Sequence, residues 1–407
     1  MKILFIQPTG DKRGHYGLWT SKLCQAIAEN GHDLRLFTNK IYPEKFLDEP
    51  PKFNITELKK GRYHFDRYDQ AMQNKSGLFW YGYFRNTYHI VKHALKLCRG
   101  EKFDAIFLTD VEYLTATLLL KRFKRHLPPV IWHVQAANFT YQTYGGSIIK
   151  KIYKLFQREI FKSTLKKEVK GFAVLGEYHK QKLTEQLKTG DGFPIEVIPD
   201  GADMKQDDLS QLAARKMINL DYSGTVFLFF GMLRKDKGIE GLIEAVSYLK
   251  DIDFKVIIAG APFEWSAEEL RTLVEQFQVN SKIDLRLGYI PDEEVSAYYC
   301  ACDAVLFPYS DSYTGSCGPL TKGASTYAKP VIVTDVSDIG RMVRKYENGL
   351  IAEAGQAKSF AECMRQFMNS SASTRQVMAE KSAEIAQKHS WKNVATQLTN
   401  FIGKCHV

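Results

Sequence analysis

The fold is decided by residues 2–38, which read KILFIQPTGDKRGHYGLWTSKLCQAIAENGHDLRLFT. The apolar run at 2–7 predicts a buried strand, and the glycine-bearing loop at 9–17 leads into a helix at 18–29. Asn30 and Gly31 close that helix, and a second strand follows at 33–38. The segment therefore predicts one βαβ unit with parallel strands.

The same alternation continues along the chain. Short apolar runs predict further strands at 104–108, 130–134, 171–175 and 195–198. After a loop at 199–203 the pattern starts again, with strands expected at 226–230, 255–259, 284–287, 304–307 and 331–333. The alternation predicts an α/β fold class with Rossmann-like, doubly wound sheets. Two such domains are expected, because 407 residues exceed what one hydrophobic core usually supports. We expect ligands at the carboxyl ends of the strands, in a cleft between two facing domains.

Composition excludes several classes of protein. Hydrophobic residues make up 44% and charged residues 25% of the chain, which is typical of a globular protein and not of a disordered or fibrous one. The first apolar run is too short for a signal peptide, and no 18-residue apolar stretch follows. The seven cysteines form no CxxC pair, so free thiols in a reducing compartment are expected. These features predict a cytoplasmic protein.

Charge is divided unevenly between the halves. Residues 1–190 contain 33 Lys and Arg against 17 Asp and Glu, a net charge of +16, whereas residues 191–407 carry −6. A basic half attracts an anionic partner. Nucleic acid is not expected, because zinc-finger spacing, RNP-like motifs and aromatic-basic interleaving are all lacking. An anionic membrane surface or an acidic acceptor fits better.

Residues 148–170 combine helical apolar spacing with a polar face that is almost entirely basic. Such a helix can hold a protein at the inner face of a membrane without spanning it, because each Lys or Arg near an anionic bilayer contributes about 1 kcal/mol. An ordinary surface helix packed on the first sheet explains the pattern equally well.

The stretch FFGMLRKDKG at 229–238 places Arg234 and Lys237 directly after a strand and before a helix. A diphosphate needs fixed positive charge and main-chain donors, and this arrangement offers both. A solvated loop is the alternative.

Four motifs occur in a fixed order: IPDGAD at 198–203, FFGxxRxxKG at 229–238, DAVLFPY at 303–309 and AKPVIVTD at 328–335. This order resembles glycosyltransferase family 4, the retaining group 1 family with the two-domain GT-B fold. Gly31-His32 and Ser390-Trp391 extend the resemblance over nearly the whole chain. It implies an acceptor-side domain at 1–200, a domain that binds the nucleotide-sugar at 201–385, and a last helix within 386–407 that returns to the first domain.

The resemblance also implies site residues. Arg234 and Lys237 would bind the diphosphate, and His133, at the end of a predicted strand, would lie near the transferred sugar, although a histidine in an apolar strand is more often a core residue. The remaining donor-binding positions would contact the phosphates or the base, largely through main-chain atoms: Gly14, Gly17, Gly231, Tyr289, Ile290, Ser316, Cys317, Gly318 and Leu320. No set of metal ligands is evident, so neither a metal nor another cofactor is expected.

This sequence departs from the family pattern at two carboxylates. Counting back from Pro330 places the usual paired glutamates at Gly315 and Gly323. Met232 also replaces the arginine that usually follows Gly231, and Arg234, two residues later, can supply the missing positive charge. Polar residues nearby are candidate substitutes: Asp311, Thr314, Ser316 and Lys322.

The expected activity is metal-independent transfer of a hexosyl-type sugar, with retention, to a glycan, a lipid-linked acceptor or another hydroxyl, in cell-surface polysaccharide or glycoconjugate synthesis. The absent glutamates keep a second hypothesis open, a noncatalytic sugar- or nucleotide-binding subunit of a transferase complex. An epimerase or phosphorylase on the same fold is a weaker third.

Overall fold

The computed structural model describes residues 1–12, 15–59, 77–135, 148–189, 192–204, 209–316 and 318–405. The chain forms two compact units, the first made of residues 1–201 and 391–407 and the second of residues 202–390. The sequence placed these boundaries at 200/201 and 385/386, whereas the chain passes between the units after Gly201 and after Ser390.

The first unit contains a parallel sheet of seven strands in the order β3-β2-β1-β4-β5-β6-β7. The strands are β1 (Lys2–Gln7), β2 (Asp33–Thr38), β3 (Asn54–Glu57), β4 (Ala105–Thr109), β5 (Val130–Val134), β6 (Val169–Val174) and β7 (Ile195–Val197). Successive residues of β1 enter different apolar clusters, Leu4 one and Phe5 the other. Because side chains alternate along a strand, both faces of the sheet are buried.

Helices cover these two faces. They are α1 (His15–Glu29), α2 (Gly77–Asn86), which continues through a π-helical segment (Thr87–Val91) into α3 (Lys92–Leu97), α4 (Tyr113–Phe123), α5 (Ile148–Lys162) and α6 (Glu177–Leu187). The carboxylate of Glu112 caps α4 by accepting from the N–H groups of Leu114 and Thr115.

The second unit contains a parallel sheet of six strands in the order β10-β9-β8-β11-β12-β13. The strands are β8 (Thr225–Phe230), β9 (Phe254–Gly260), β10 (Ile283–Leu287), β11 (Ala304–Phe307), β12 (Val331–Thr334) and β13 (Gly349–Ala352). Its helices are α7 (Gln211–Met217), α8 (Ile239–Ser247), α9 (Ala267–Gln276), α10 (Asp292–Ala301), α11 (Ser337–Tyr346), α12 (Ala357–Asn369) and α13 (Ala372–Lys388). The last helix, α14 (Trp391–Lys404), belongs to the first unit, where Leu398 and Phe401 join the same apolar cluster as Trp19 and Leu23 of α1.

The α/β prediction with two doubly wound sheets is confirmed. Two strands that the sequence did not predict, β3 and β13, lie at sheet edges. The prediction of one helix over 148–170 is wrong, because α5 ends at Lys162 and β6 begins at Val169. The hydroxyl of Thr164 donates to the carbonyl of Phe161, and Lys166 has a φ of +64°, so the chain turns there. Among the described residues, no helix is both long and apolar enough to cross a membrane.

Candidate active site

A tight turn follows β8 in the second unit. Gly231 has a φ of +118°, a short 3-10 turn spans Lys235–Lys237, and Gly238, at a φ of +65°, precedes α8. A Cβ atom on Gly238 would overlap the carbonyl oxygen of Pro308, which lies just after β11. Glycine therefore lets this turn pack directly against the neighbouring loop.

Lys237 is buried in the turn, with 7% of its surface exposed. A Cβ atom on Gly231 would lie 3.1 Å from Lys237 Nζ, and the ammonium lies 6.0 Å from the ring centroid of Phe229 and 5.8 Å from that of Tyr309. Burial, and secondarily the charge of Arg234, lower the pKa of Lys237 to about 8. An anion bound here would favour the charged ammonium, so the turn is suited to a phosphate.

Arg234 is held in place by Asp236. Arg234 Nε donates to Asp236 Oδ1 at 2.8 Å, and Nη2 donates to Oδ2 of the same carboxylate. The guanidinium is 36% exposed and lies 6.0 Å from the ring centroid of Tyr313. The planar cation thus has a fixed orientation and retains donors for a further ligand.

Glycines occupy the carboxyl ends of three neighbouring strands. A Cβ atom on Gly260, which ends β9, would overlap the carbonyl oxygen of Gly231, and the N–H of Gly288 donates to the carbonyl of Gly260 at 3.0 Å. The sequence indicated Gly231 as a site residue but not Gly260 or Gly288, although Gly260 directly follows an apolar run and Gly288 follows a predicted strand. Without side chains on these three residues, a ligand can approach the main chain closely.

Tyr289 and Ile290, predicted to contact the base, follow this row of glycines. Tyr289 is 74% exposed, and its hydroxyl donates to Asp292 Oδ1 at 3.3 Å; Ile290 is half-buried. Their location agrees with a ligand at the carboxyl end of β10, and their role stays a prediction.

The loop after β11 brings Ser316 toward the turn. The N–H of Ser310 donates to the carbonyl of Asp236 at 3.0 Å, and the N–H of Tyr313 donates to the carbonyl of Ser310 at 2.9 Å. The hydroxyl of Tyr313, whose ring faces Arg234, donates to the carbonyl of Ser316 at 3.1 Å. These contacts connect the loop to the turn that holds both cations.

The other predicted phosphate contacts lie just beyond. The N–H of Gly318 donates to Ser316 Oγ at 3.4 Å, and Leu320 is buried at the start of a π-helical turn. Cys317 lies outside the described residues. Of the candidate substitutes, Asp311 and Thr314 are exposed, and Lys322 is half-buried.

Tyrosine hydroxyls occupy the space next to the two glycines that replace the family's glutamates. A Cβ atom on Gly315 would overlap the hydroxyl of Tyr313, and one on Gly323 would overlap that of Tyr299. Tyr299 is buried, and its ring stacks on Tyr327 with centroids 4.9 Å apart. The contact between Tyr313 and Gly315 is local, whereas the contact between Tyr299 and Gly323 is tertiary and could not be predicted from the sequence.

In the first unit, His133 lies on β5 near the carboxyl end of the sheet. It is 2% exposed, its Nδ1 lies 2.9 Å from Thr109 Oγ1, and its ring stacks on Trp19 with centroids 4.9 Å apart. At Gly17 a Cβ atom would lie 3.0 Å from the ring of Phe46. Gly14 lies outside the described residues. The role of His133 near a sugar stays a prediction.

Sequence reasoning missed a polar group beside His133. Asp110, directly after β4, has a φ of +47°, accepts from the hydroxyl of Thr9 and accepts from the hydroxyl of Tyr83 at 3.4 Å. Lys12 Nζ lies 4.0 Å from the ring centroid of Tyr16 in the same loop region. The sequence could have indicated Asp110, because it is an aspartate that immediately follows an apolar run. Across the described ranges, no group of three His, Cys, Asp or Glu is arranged to hold a metal ion.

Solved structures share this architecture. Sucrose-phosphate synthase from Thermosynechococcus elongatus is similar with a TM-score of 0.72 at 17% identity, and the alignment covers 99% of this chain and 98% of the other. Anabaena HepE in complex with UDP gives a TM-score of 0.70 at 14% identity, covering 99% of this chain and all of the other. The two parallel sheets and their helices define a protein of the GT-B glycosyltransferase fold.

The sequence of the second unit is similar to a known family. Residues 211–385 match the family described as glycosyl transferases group 1. D-inositol 3-phosphate glycosyltransferase of Corynebacterium efficiens is 28% identical over 239 residues, which are 56% of this chain and 55% of the relative. The putative teichuronic acid biosynthesis glycosyltransferase TuaC of Bacillus subtilis is 25% identical over 228 residues, 55% of this chain and 54% of TuaC. The chain spans about half the length of the curated relatives it matches.

Proposed function

We propose that this protein is a retaining glycosyltransferase that moves a hexosyl-type sugar from a nucleotide-sugar to a hydroxyl acceptor. The observation that carries the proposal is the buried ammonium of Lys237 in a glycine-lined turn at the carboxyl end of the second sheet. A buried cation without a bound anion is costly, as its lowered pKa indicates, and a diphosphate would offset that cost.

In the proposed reaction, the bond between the sugar and the donor phosphate breaks while the acceptor oxygen forms the new bond on the same face of the sugar. Negative charge builds on the departing nucleotide diphosphate. Arg234 and Lys237 stabilise this charge from fixed positions, which is electrostatic catalysis by a preorganised site. We propose that these two cations do so without a metal ion or other cofactor, and that His133 binds the transferred sugar.

The donor class is supported by the structural neighbours. HepE structures carry UDP and UDP-glucose, so UDP is the first probe for this chain. The acceptor is proposed to be a glycan or a lipid-linked molecule in cell-surface polysaccharide or glycoconjugate synthesis. TuaC, which is similar to this chain over about half its length, is named for teichuronic acid biosynthesis.

Two variants of the same turn test the proposal. Lys237→Ala is expected to weaken UDP binding and lower turnover by at least about tenfold, because a charge-assisted hydrogen bond contributes about 1.5–3 kcal/mol. Lys235→Ala is the matched control, since Lys235 is exposed and its ammonium lies over Trp265 instead. Calorimetric titration with UDP and a donor-hydrolysis assay measure both effects. Equal behaviour of the two variants would contradict the assignment.

A noncatalytic nucleotide-binding subunit is the second candidate. It is favoured by the tyrosine hydroxyls beside Gly315 and Gly323, because they occupy space that a carboxylate side chain would need. Binding of nucleoside diphosphates with neither donor hydrolysis nor transfer to any acceptor would establish this alternative. Turnover that depends on Lys237 would exclude it.

We further propose a cytoplasmic protein that works peripherally at the inner face of the membrane, next to a lipid-linked acceptor. Three large apolar side chains of α5 are exposed: Ile152 at 60%, Leu155 at 41% and Phe156 at 55%. Cosedimentation with anionic vesicles that weakens as salt rises is expected. Binding that ignores lipid charge would contradict this location.

A further inference from the structure

One buried residue, Glu112, connects three helical elements of the first unit. The main-chain N–H of Glu112 donates to Thr87 Oγ1 in the π-helical segment at 3.0 Å. Its carboxylate caps α4 and also accepts from α5, through the hydroxyl of Tyr153 at 3.0 Å and the side-chain amide of Gln157 at 2.8 Å. The arrangement of α2 with its π-helical extension, α4 and α5 is therefore fixed by a shared internal contact.

The outer surface of these helices is unusually apolar. Within the described part of the first unit, nine large apolar side chains are exposed, and seven of them lie on these three elements. In addition to the three on α5 they are Tyr81, Phe84, Tyr88 and Leu118. Spacing of three and four residues between Tyr81, Phe84 and Tyr88 places them along one side of their helix. A concentration of exposed apolar side chains on neighbouring elements is typical of an interaction site.

The same elements carry a strong positive charge. The segments 77–97, 113–123 and 148–162 contain ten Lys and Arg but a single acid, Glu159, which pairs with Arg158 at 2.9 Å. Two of the exposed tyrosines accept from these cations, Tyr81 from Arg85 at 2.7 Å and Tyr88 from Lys92 at 2.8 Å. Each ring thus has an apolar body and a polar end next to a cation, which suits the boundary between acyl chains and headgroups.

We propose that these residues form a single three-helix face that docks on an anionic lipid bilayer. This inference rests on the peripheral location proposed above and extends it, because α5 alone would present only three of the seven apolar side chains. A bilayer supplies anionic headgroups for the cations and acyl chains for the aliphatic side chains. Single-stranded nucleic acid would match the cations and rings but would leave Leu118, Ile152 and Leu155 without a partner.

The experiment is vesicle flotation with the full chain. The vesicles are neutral phosphatidylcholine, alone or with about 30% phosphatidylglycerol, an anionic lipid that attracts basic segments. The two test variants are Ile152→Ser with Phe156→Ser on α5, and Phe84→Ser with Tyr88→Ser on α2 and its extension. Leu212→Ser with Met217→Ser is the matched control, since both residues are exposed on α7 of the second unit, at 67% and 59%.

Each test variant is expected to lower partitioning onto anionic vesicles by at least about tenfold, and the control to change it by less than about twofold. UDP affinity, measured in parallel, should be the same in all variants. This result shows that the variants fold, and it separates a loss of lipid binding from a failure of the proposed donor site. Loss in the α5 variant together with unchanged binding in the Phe84 and Tyr88 variant would overturn the three-helix face. Equal binding to neutral and anionic vesicles would also overturn the proposal. So would binding to single-stranded DNA that is as strong as binding to anionic vesicles and that the same two variants abolish.

Discussion

The carboxyl ends of the two sheets differ in chemistry although both sheets are parallel and doubly wound. In the second unit this region consists of glycine main chain and a buried cation, with Gly231 and Gly260 in contact and Lys237 beside them. In the first unit it consists of side chains bonded to one another, as in the contacts of Thr109 with His133 and of Thr9 with Asp110. The fold determines where a ligand binds, and the local side chains determine which ligand it is.

The difference suggests a division of labour. Glycines and a desolvated ammonium suit a diphosphate, whereas hydroxyl, carboxylate and imidazole groups suit the hydroxyls of a sugar. The predictions below separate the two regions experimentally.

The largest effect on stability is expected from adding a side chain to Gly260, where the ends of β8 and β9 are in contact. Gly260→Ala places a methyl group against the carbonyl of Gly231 at a φ of +149°, so the free energy of unfolding should fall by at least about 2 kcal/mol. Gly241→Ala in α8 is the control, because nothing lies within 4 Å of its added Cβ atom and alanine favours a helix. Urea denaturation measures both; comparable stabilities for the two variants would contradict the described contact.

The next largest effect is on the pH dependence of UDP binding. Since the pKa of Lys237 is lowered to about 8 and a bound diphosphate would raise it, UDP affinity should fall as pH rises through 8. Between about pH 7 and pH 9 the loss should be about tenfold, with proton uptake on binding in the upper part of this range. Calorimetry in buffers of different ionisation enthalpy measures the uptake. Lys237→Ala should abolish the pH dependence, and its persistence in that variant would assign it to another group.

A smaller effect is expected at the first sheet. Thr109→Val removes the hydroxyl beside Nδ1 of His133, which is proposed to bind the transferred sugar. The KM for the nucleotide-sugar donor should rise by about threefold to tenfold, since one hydrogen bond contributes about 1 kcal/mol, while the affinity for UDP, which lacks the sugar, stays unchanged. Thr117→Val is the control, because that buried hydroxyl has no hydrogen-bond partner among the described residues. A change in UDP affinity instead of the KM for the nucleotide-sugar donor would contradict the proposed division.

The smallest effect is expected from chelation. If Arg234 and Lys237 supply the positive charge, EDTA should change turnover by less than about twofold. A loss of tenfold or more that Mg²⁺ restores would show that a metal ion shares their role.

The sequence located the strands well because most are buried apolar runs in parallel sheets. It also predicted that Arg234 and Lys237 lie between a strand and a helix, because both belong to one contiguous segment; their role stays a prediction. It missed β3, an edge strand in which Ile55 is the only apolar residue, and β13, a short edge strand that begins with glycine. It also extended α5 too far, because no Gly or Pro marks the turn that Thr164 makes. Tertiary contacts between distant segments, such as the one between Tyr299 and Gly323, are not encoded in any local pattern.

Glu112 shows how the three-helix face can change over generations. Only 4% of this residue is exposed, so it organises three helices without itself reaching solvent. Under the proposed docking on lipid, residues on the exterior could be exchanged one at a time, each altering affinity for a particular lipid composition while the helical framework persists. Position 112 has no comparable freedom, and inheritance should preserve its carboxylate even where every outward-facing neighbour has drifted.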